Sequence, residues 1–304
     1  MSQQAAKLEH TIREKPNATS SVWQPITMAE RAAGISLSVA SGKGGVGKTN
    51  FALNFALALR QAQFRVLLVD ADLGLANVDI LLGRSPEYHL GDYLWGGLAL
   101  EKIIRQGPEN LEIISAKNGV VELANLPPGQ IERLLTALEA LESRYDYIIF
   151  DTAAGIHWQT TAFTFAAREI FLLVTPEPTS LMDAYSLIKI MIRQQPGKRI
   201  NVVVNMARHA REGIATFNTL ADLSKRFLKK SLFFSGTLSA DNQVWASVRR
   251  QNPVLLFDPS TSFSRELIAL RDAWLKGARI PSSIGMGARF KKFFKWKENA
   301  HGLP

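Results

Sequence analysis

The feature that most constrains this 304-residue chain is the run Gly42-Lys43-Gly44-Gly45-Val46-Gly47-Lys48-Thr49. It follows a short apolar stretch, residues 35–40, and precedes an apolar stretch of helical period, residues 51–59. A buried strand that turns through glycines straight into a helix is a unit of a parallel α/β sheet. The glycines let backbone N–H groups converge without Cβ clashes, which makes a cradle for phosphate oxygens. Lys48 supplies a point charge for β- and γ-phosphates, and Thr49 a hydroxyl for Mg2+, beside the positive end of the helix. Gly42, Lys43, Gly44, Gly45, Val46, Gly47, Lys48, Thr49 and Asn50 are therefore the expected binding residues for ATP or ADP.

The rest of the chain agrees with such a sheet. Apolar runs recur at residues 66–69, 111–114, 147–150, 170–174, 200–204 and 232–234. Helical stretches lie between several of them, for example at 128–142 and 180–194. Short, uniformly apolar strands alternating with helices predict a mainly parallel sheet with helices on both faces. This α/β domain is expected to span residues 35–276, closing with a helix over 263–276. Residues 1–34 are polar and mixed, and read as a flexible arm. Residues 277–304 read as a linker and tail.

Composition narrows the chemistry. There are no cysteines, which excludes disulfides, thiolate metal sites and an iron–sulfur cluster. No apolar stretch reaches the ~18 residues of a spanning helix, and the N-terminus has no apolar secretory core. A cytoplasmic location is the expectation. The formal net charge is +9, which favours an anionic partner. Over half of that excess lies in the last 26 residues, where Arg279, Arg289, Lys291, Lys292, Lys295 and Lys297 face only Glu298.

Two further segments end apolar runs with acids: Val69-Asp70-Ala71-Asp72 and Phe150-Asp151-Thr152-Ala153-Ala154-Gly155. Carboxylates at strand ends beside a phosphate loop can hold Mg2+ or orient water at the γ-phosphate. Thr49, Asp72 and Asp151 are thus the candidates for a Mg2+ set, with the two acids equally open to orienting water.

The tail has its own pattern. Phe290, Phe293 and Phe294 are spaced i, i+3, i+4 on one helical face, with Lys291, Lys292 and Lys295 largely on the rest and Trp296 near the boundary. That is the layout of an interfacial helix for an anionic membrane surface. It is short enough to be weakly helical in water.

The loop with its extra lysine, Lys43, resembles the deviant Walker A motif of the MinD/ParA family of P-loop ATPases. The resemblance implies an ATP-dependent homodimer in which Lys43 reaches across to the partner's phosphates, while Lys48 keeps the ordinary role. It assigns water activation to Asp72, so that Lys43, Lys48 and Asp72 are the expected catalytic residues. It places Asp151 on Mg2+, Glu177 on the ribose across the dimer and Asn205 on adenine, with residues 236–242 packing on the base. In the linking stretches Asp70–Asp79, Asp151–Ile156 and Asn205–Ala207 the chain looks most similar to flagellar-number regulators of the FlhG/FleN type. That branch implies an ATP hydrolase regulating flagellar number and placement, held peripherally at the inner face of the cell membrane. Flagellar basal-body or regulator proteins are the implied partners. Its N-terminal motif, which acts on the FlhF GTPase, is matched here by Gln4-Ala5-Ala6-Lys7-Leu8, with Gln3 in place of an acid. A ParA-like DNA-partition ATPase and a MinD-type cell-division regulator remain alternatives at this level.

Overall fold

A computed structural model describes residues 34–117, 119–277 and 285–301, without the side chains at 121 and from 294 onward. The strands are β1 (Ile35–Ala40), β2 (Val66–Ala71), β3 (Arg105–Gln106), β4 (Glu112–Ile114), β5 (Tyr147–Thr152), β6 (Glu169–Val174), β7 (Arg199–Ala207) and β8 (Phe233–Ser239). The longer helices are α1 (Lys48–Gln61), α2 (Pro128–Ala140), α3 (Trp158–Ala166), α4 (Pro178–Gln194), α5 (Ala210–Leu228), α6 (Asn242–Arg249), α7 (Ser262–Lys276) and α8 (Met286–His301). The strands form one sheet in the order β3-β4-β2-β5-β1-β6-β7-β8. Every pairing is parallel except β3 with β4. The sheet is therefore mainly parallel with helices on both faces, as the apolar runs predict.

The period-two alternation of a strand explains why these runs are apolar throughout. In β5, Tyr147 and Ile149 face the layer of α1 and α7, while Ile148 and Phe150 face the layer of α2, α3, α4 and α5. Helix α1 is buried from Phe51 to Leu59. Its Phe51 stacks on Phe55 at 5.3 Å, and Phe55 meets Phe171 of β6 and Trp274 of α7. Fully burying an aromatic side chain contributes about 1.5–3 kcal/mol, so this cluster fixes the helix that carries the phosphate loop. Register then sets the acids: Asp70 of β2 lies opposite Asp151 of β5.

The tail departs from the free amphipathic helix expected from its sequence. Helix α8 lies against α2 and α3. Met286, Phe290 and Phe293 are buried there, with Phe293 stacked on Phe165 at 4.5 Å. Polar contacts anchor its start. The Gly287 N–H donates to Glu139 Oε2 at 2.6 Å. Arg289 donates to the Ala166 carbonyl at 2.6 Å and to Ser36 Oγ at 3.0 Å, and pairs with Glu142 at 3.7 Å. A Cβ on Gly285 would collide with the Glu139 carboxylate. Gly285 and Gly287, which read as linker residues, thus make room for a carboxylate at the helix start. Lys291 and Lys292 are exposed, and Lys291 pairs with Glu132 at 3.3 Å. The Phe294, Lys295 and Trp296 side chains lie outside the described residues, as do the Gln4–Leu8 motif and the arm. Among the described residues no helix is long and apolar enough to cross a membrane.

Candidate functional site

The site is built at the carboxyl ends of β1, β2 and β5. β1 ends at Ala40, and the loop runs to Gly47, which precedes α1. Gly45 and Gly47 have φ of 78° and 88°, a left-handed backbone that L side chains resist. Gly42 approaches another chain segment so closely that a Cβ would collide with the Asp183 backbone carbonyl. Asn205 supports the loop from β7: its Nδ2 donates to the Val46 carbonyl at 2.8 Å. A bulge in β7 between Val204 and Ala207, with Met206 at φ 58°, turns the chain there. The structure thus places Asn205, the residue expected to meet adenine, against the phosphate loop.

Two lysines occupy distinct places. Lys48 is mostly buried and donates to Ser41 Oγ at 3.1 Å. Burial lowers its pKa, and the charges of Asp151 and Asp72 push it back up. Lys43 is half-exposed and turns to its own protomer, pairing with Glu177 and donating to Thr179 Oγ1 at 3.0 Å. Lys43 in turn favours the charged form of Glu177 and holds its carboxyl below the usual value.

The three acids have different environments. Asp70 is fully buried and accepts from the backbone N–H groups of Asp72, Asn77 and Val78 at 3.2, 3.0 and 3.1 Å. It ties down the start of the short helix Val78–Leu82, so its work is structural. Asp72 accepts from Leu75 N at 3.1 Å, which curls the segment after β2 around it. Burial raises its pKa, opposed by backbone N–H groups and the Lys48 charge. Asp151 is buried, and neither carboxylate oxygen has a hydrogen bond of normal geometry. Burial raises its pKa, while Thr49 and Lys48 favour the charge. A buried, unbonded carboxylate between a loop threonine and a lysine has the donor chemistry of a Mg2+ site. Thr49, Asp72 and Asp151 are so placed that they could serve such an ion directly or through water. Among the described residues no group of three or more His, Cys, Asp or Glu side chains forms a metal cluster.

Gly155 N donates to the Ser41 carbonyl at 3.0 Å, linking the segment after β5 to the loop. Residues 236–242 are held by Glu266 of α7, which accepts from Ser239 N at 2.6 Å and from Ser239 Oγ at 2.7 Å. Sequence reasoning missed Glu266, which no local pattern marks, and also Ser41 and Thr179. Ser41 could have been found, since it directly precedes the loop. Leu75, Ile156 and Met182 form exposed apolar points on the segments after β2 and β5 and on the start of α4.

A phosphate loop on β1–α1, two acid-ended strands and this strand order define a P-loop nucleotide-binding protein. A family model described as an AAA domain matches residues 35–204. The chain belongs to this family, and within it to the MinD/ParA group of ATP-binding P-loop ATPases. It is 39% identical over 241 residues to "Antiactivator FleN" of Pseudomonas aeruginosa, covering 78% of this chain and 86% of that protein. It is 28% identical over 265 residues to "Flagellum site-determining protein YlxH" of Helicobacter pylori, covering 86% and 90%. Its fold matches the septum site-determining protein MinD of Pyrococcus horikoshii, solved with Mg-ADP, at a TM-score of 0.69 and 23% identity, over 82% of this chain and 99% of that one.

Proposed function

We propose that this protein is a Mg-ATP-driven dimerisation switch that acts on flagellar number or placement, with ATP hydrolysis resetting it. The flagellar role is supported by the extended similarity to FleN and YlxH. The observation that carries the switch reading is the position of Lys43. It sits on the phosphate loop, yet is held by Glu177 and Thr179 outside its own cradle, on a face with exposed Leu75, Ile156 and Met182. A lysine so placed is available to phosphates presented by a second copy, and the exposed apolar points suit burial against it.

In this reading Lys48 and the loop N–H groups bind the phosphates, and Mg2+ neutralises charge on them when bound. Thr49 and Asp151 hold that ion's position, Asp72 orients the attacking water, and Glu177 and Asn205 serve the nucleoside. The tail binds anionic lipid at the inner face of the cell membrane. Since Phe290 and Phe293 are buried on the body, lipid binding requires α8 to leave α2 and α3. The Gln4–Leu8 segment is the part proposed to meet an FlhF-type GTPase.

Size-exclusion with ADP and ATP, with and without anionic liposomes, tests the switch. Wild type shifts to a dimer only with ATP. Lys43→Ala stays monomeric, and Asp72→Ala dimerises but does not turn over. An ATP-dependent dimer of Lys43→Ala, or normal hydrolysis by Asp72→Ala, overturns the assignment.

A further inference from the structure

A second basic and aromatic stretch lies far from the tail in sequence. Residues 225–234, Lys-Arg-Phe-Leu-Lys-Lys-Ser-Leu-Phe-Phe, carry four cations and no acid. They join the end of α5 to the start of β8. β8 is an edge strand, with β7 as its one partner in the sheet. Phe227 is 59% exposed, Phe233 44% and Phe234 40%. These rings are held, not loose. Phe234 packs on Phe217 of α5 at 4.8 Å on one face of the sheet, and the Arg199 guanidinium lies over Phe233 at 4.2 Å on the other, so the patch wraps the start of the edge strand. Lys225, Arg226 and Lys229 are exposed and form no ion pair among the described residues.

We propose that this surface is a second, preformed contact for an anionic lipid bilayer. The proposal rests on the membrane reading of the tail and adds a fixed site on the body. Three reasons favour lipid. Exposed phenylalanines gain only where an apolar phase receives them, and the lysines beside them stand where head-group phosphates would lie. The segment offers Ser231 as its one uncharged polar side chain, a poor set for reading base edges. The same-sign charge also opposes pairing with another copy of itself.

Its place fits as well. α7 ends at Lys276, and a Cβ on the next residue, Gly277, would sit 3.6 Å from the Arg199 guanidinium that covers Phe233. α7 therefore ends at the border of this patch. Arg199 and Phe233 begin β7 and β8, whereas the phosphate loop follows the end of β1. Contact at the patch leaves the nucleotide face open.

The test uses the full chain with a non-hydrolysable ATP analogue. Wild type, Lys225→Glu/Phe227→Asp and Lys291→Glu/Lys292→Glu are sedimented with phosphatidylglycerol-rich and with pure phosphatidylcholine vesicles, and assayed for duplex DNA binding and mass. The patch variant is expected to bind anionic vesicles about tenfold more weakly, with unchanged vesicle-free ATP turnover and unchanged mass. Wild-type vesicle binding by that variant overturns the proposal. So does loss of DNA binding or of self-association in place of vesicle binding, which would assign the surface to nucleic acid or to a second copy. If the tail variant binds normally while the patch variant does not, the tail reading fails and the patch stands. The reverse pattern keeps the tail and removes the patch. A wild type that binds neither vesicle overturns both.

Discussion

At the scale of single residues, the acids show how function and stability diverge. Asp151 is buried without a hydrogen bond of normal geometry. A buried unsatisfied group costs roughly 1–3 kcal/mol, and more when charged. Asp151→Asn should therefore raise the thermal midpoint of the nucleotide-free protein and shrink the extra stabilisation that Mg-nucleotide gives. Scanning calorimetry with and without Mg-ADP measures both. Glu142 is different because its acidity reports on the tail. Burial pushes its carboxyl from 4.5 to about 7, with Arg289 and Arg168 opposing and Glu139 reinforcing the rise. An acid whose pKa is higher folded than unfolded binds its proton more tightly in the folded state. Its contribution thus becomes less favourable as pH rises from 4.5 to about 7. Glu142→Gln should flatten that part of the stability–pH curve, measured by denaturant unfolding.

Among the elements, α8 is the one whose state matters most. Its docking combines buried Met286, Phe290 and Phe293 with a carboxylate at its start and a buried arginine pair. Removing Arg289 strips α8 of its bonds to the Ala166 carbonyl and Ser36, and leaves Glu142 to take up a proton in its buried site. Arg289→Ala, and separately Gly285→Val, should release α8. Limited proteolysis would then cut within 286–301, and anionic vesicle binding would strengthen. This is also where sequence reading ran out. The i, i+3, i+4 phenylalanine spacing identified a helix face, but spacing cannot say whether lipid or protein covers it. The P-loop, β1, β2 and β5 were legible because strand, glycine and acid signals coincide within a few residues, and β6 and β7 because their apolar runs are continuous. Glu266 on Ser239 and Asn205 on Val46 were not, because both bonds join segments distant in sequence. The two-residue antiparallel β3 carried no decisive local pattern, whereas the 19-residue α5 was passed over although Ile214, Phe217, Leu220 and Leu223 recur at helical spacing.

For the molecule as a whole, the net charge of +9 is unevenly placed, with cations in 225–230 and 289–297. The Debye length falls from about 10 Å at 0.1 M salt to about 3 Å at 1 M. Vesicle binding should weaken steadily over that range, while vesicle-free ATP turnover changes little. A sedimentation series in sodium chloride checks it; salt-independent binding would point to apolar insertion alone. The sheet order carries a separate consequence for synthesis. β1 pairs with Tyr147–Asp151 on one side and Glu169–Leu172 on the other. A ribosome making the chain must therefore extend it by more than a hundred residues after the phosphate loop emerges before both flanks of that loop exist. Nascent chains that stall short of β6 carry the complete nucleotide motif with β1 flanked on one side at most, and leave exposed the apolar edge that β6 covers.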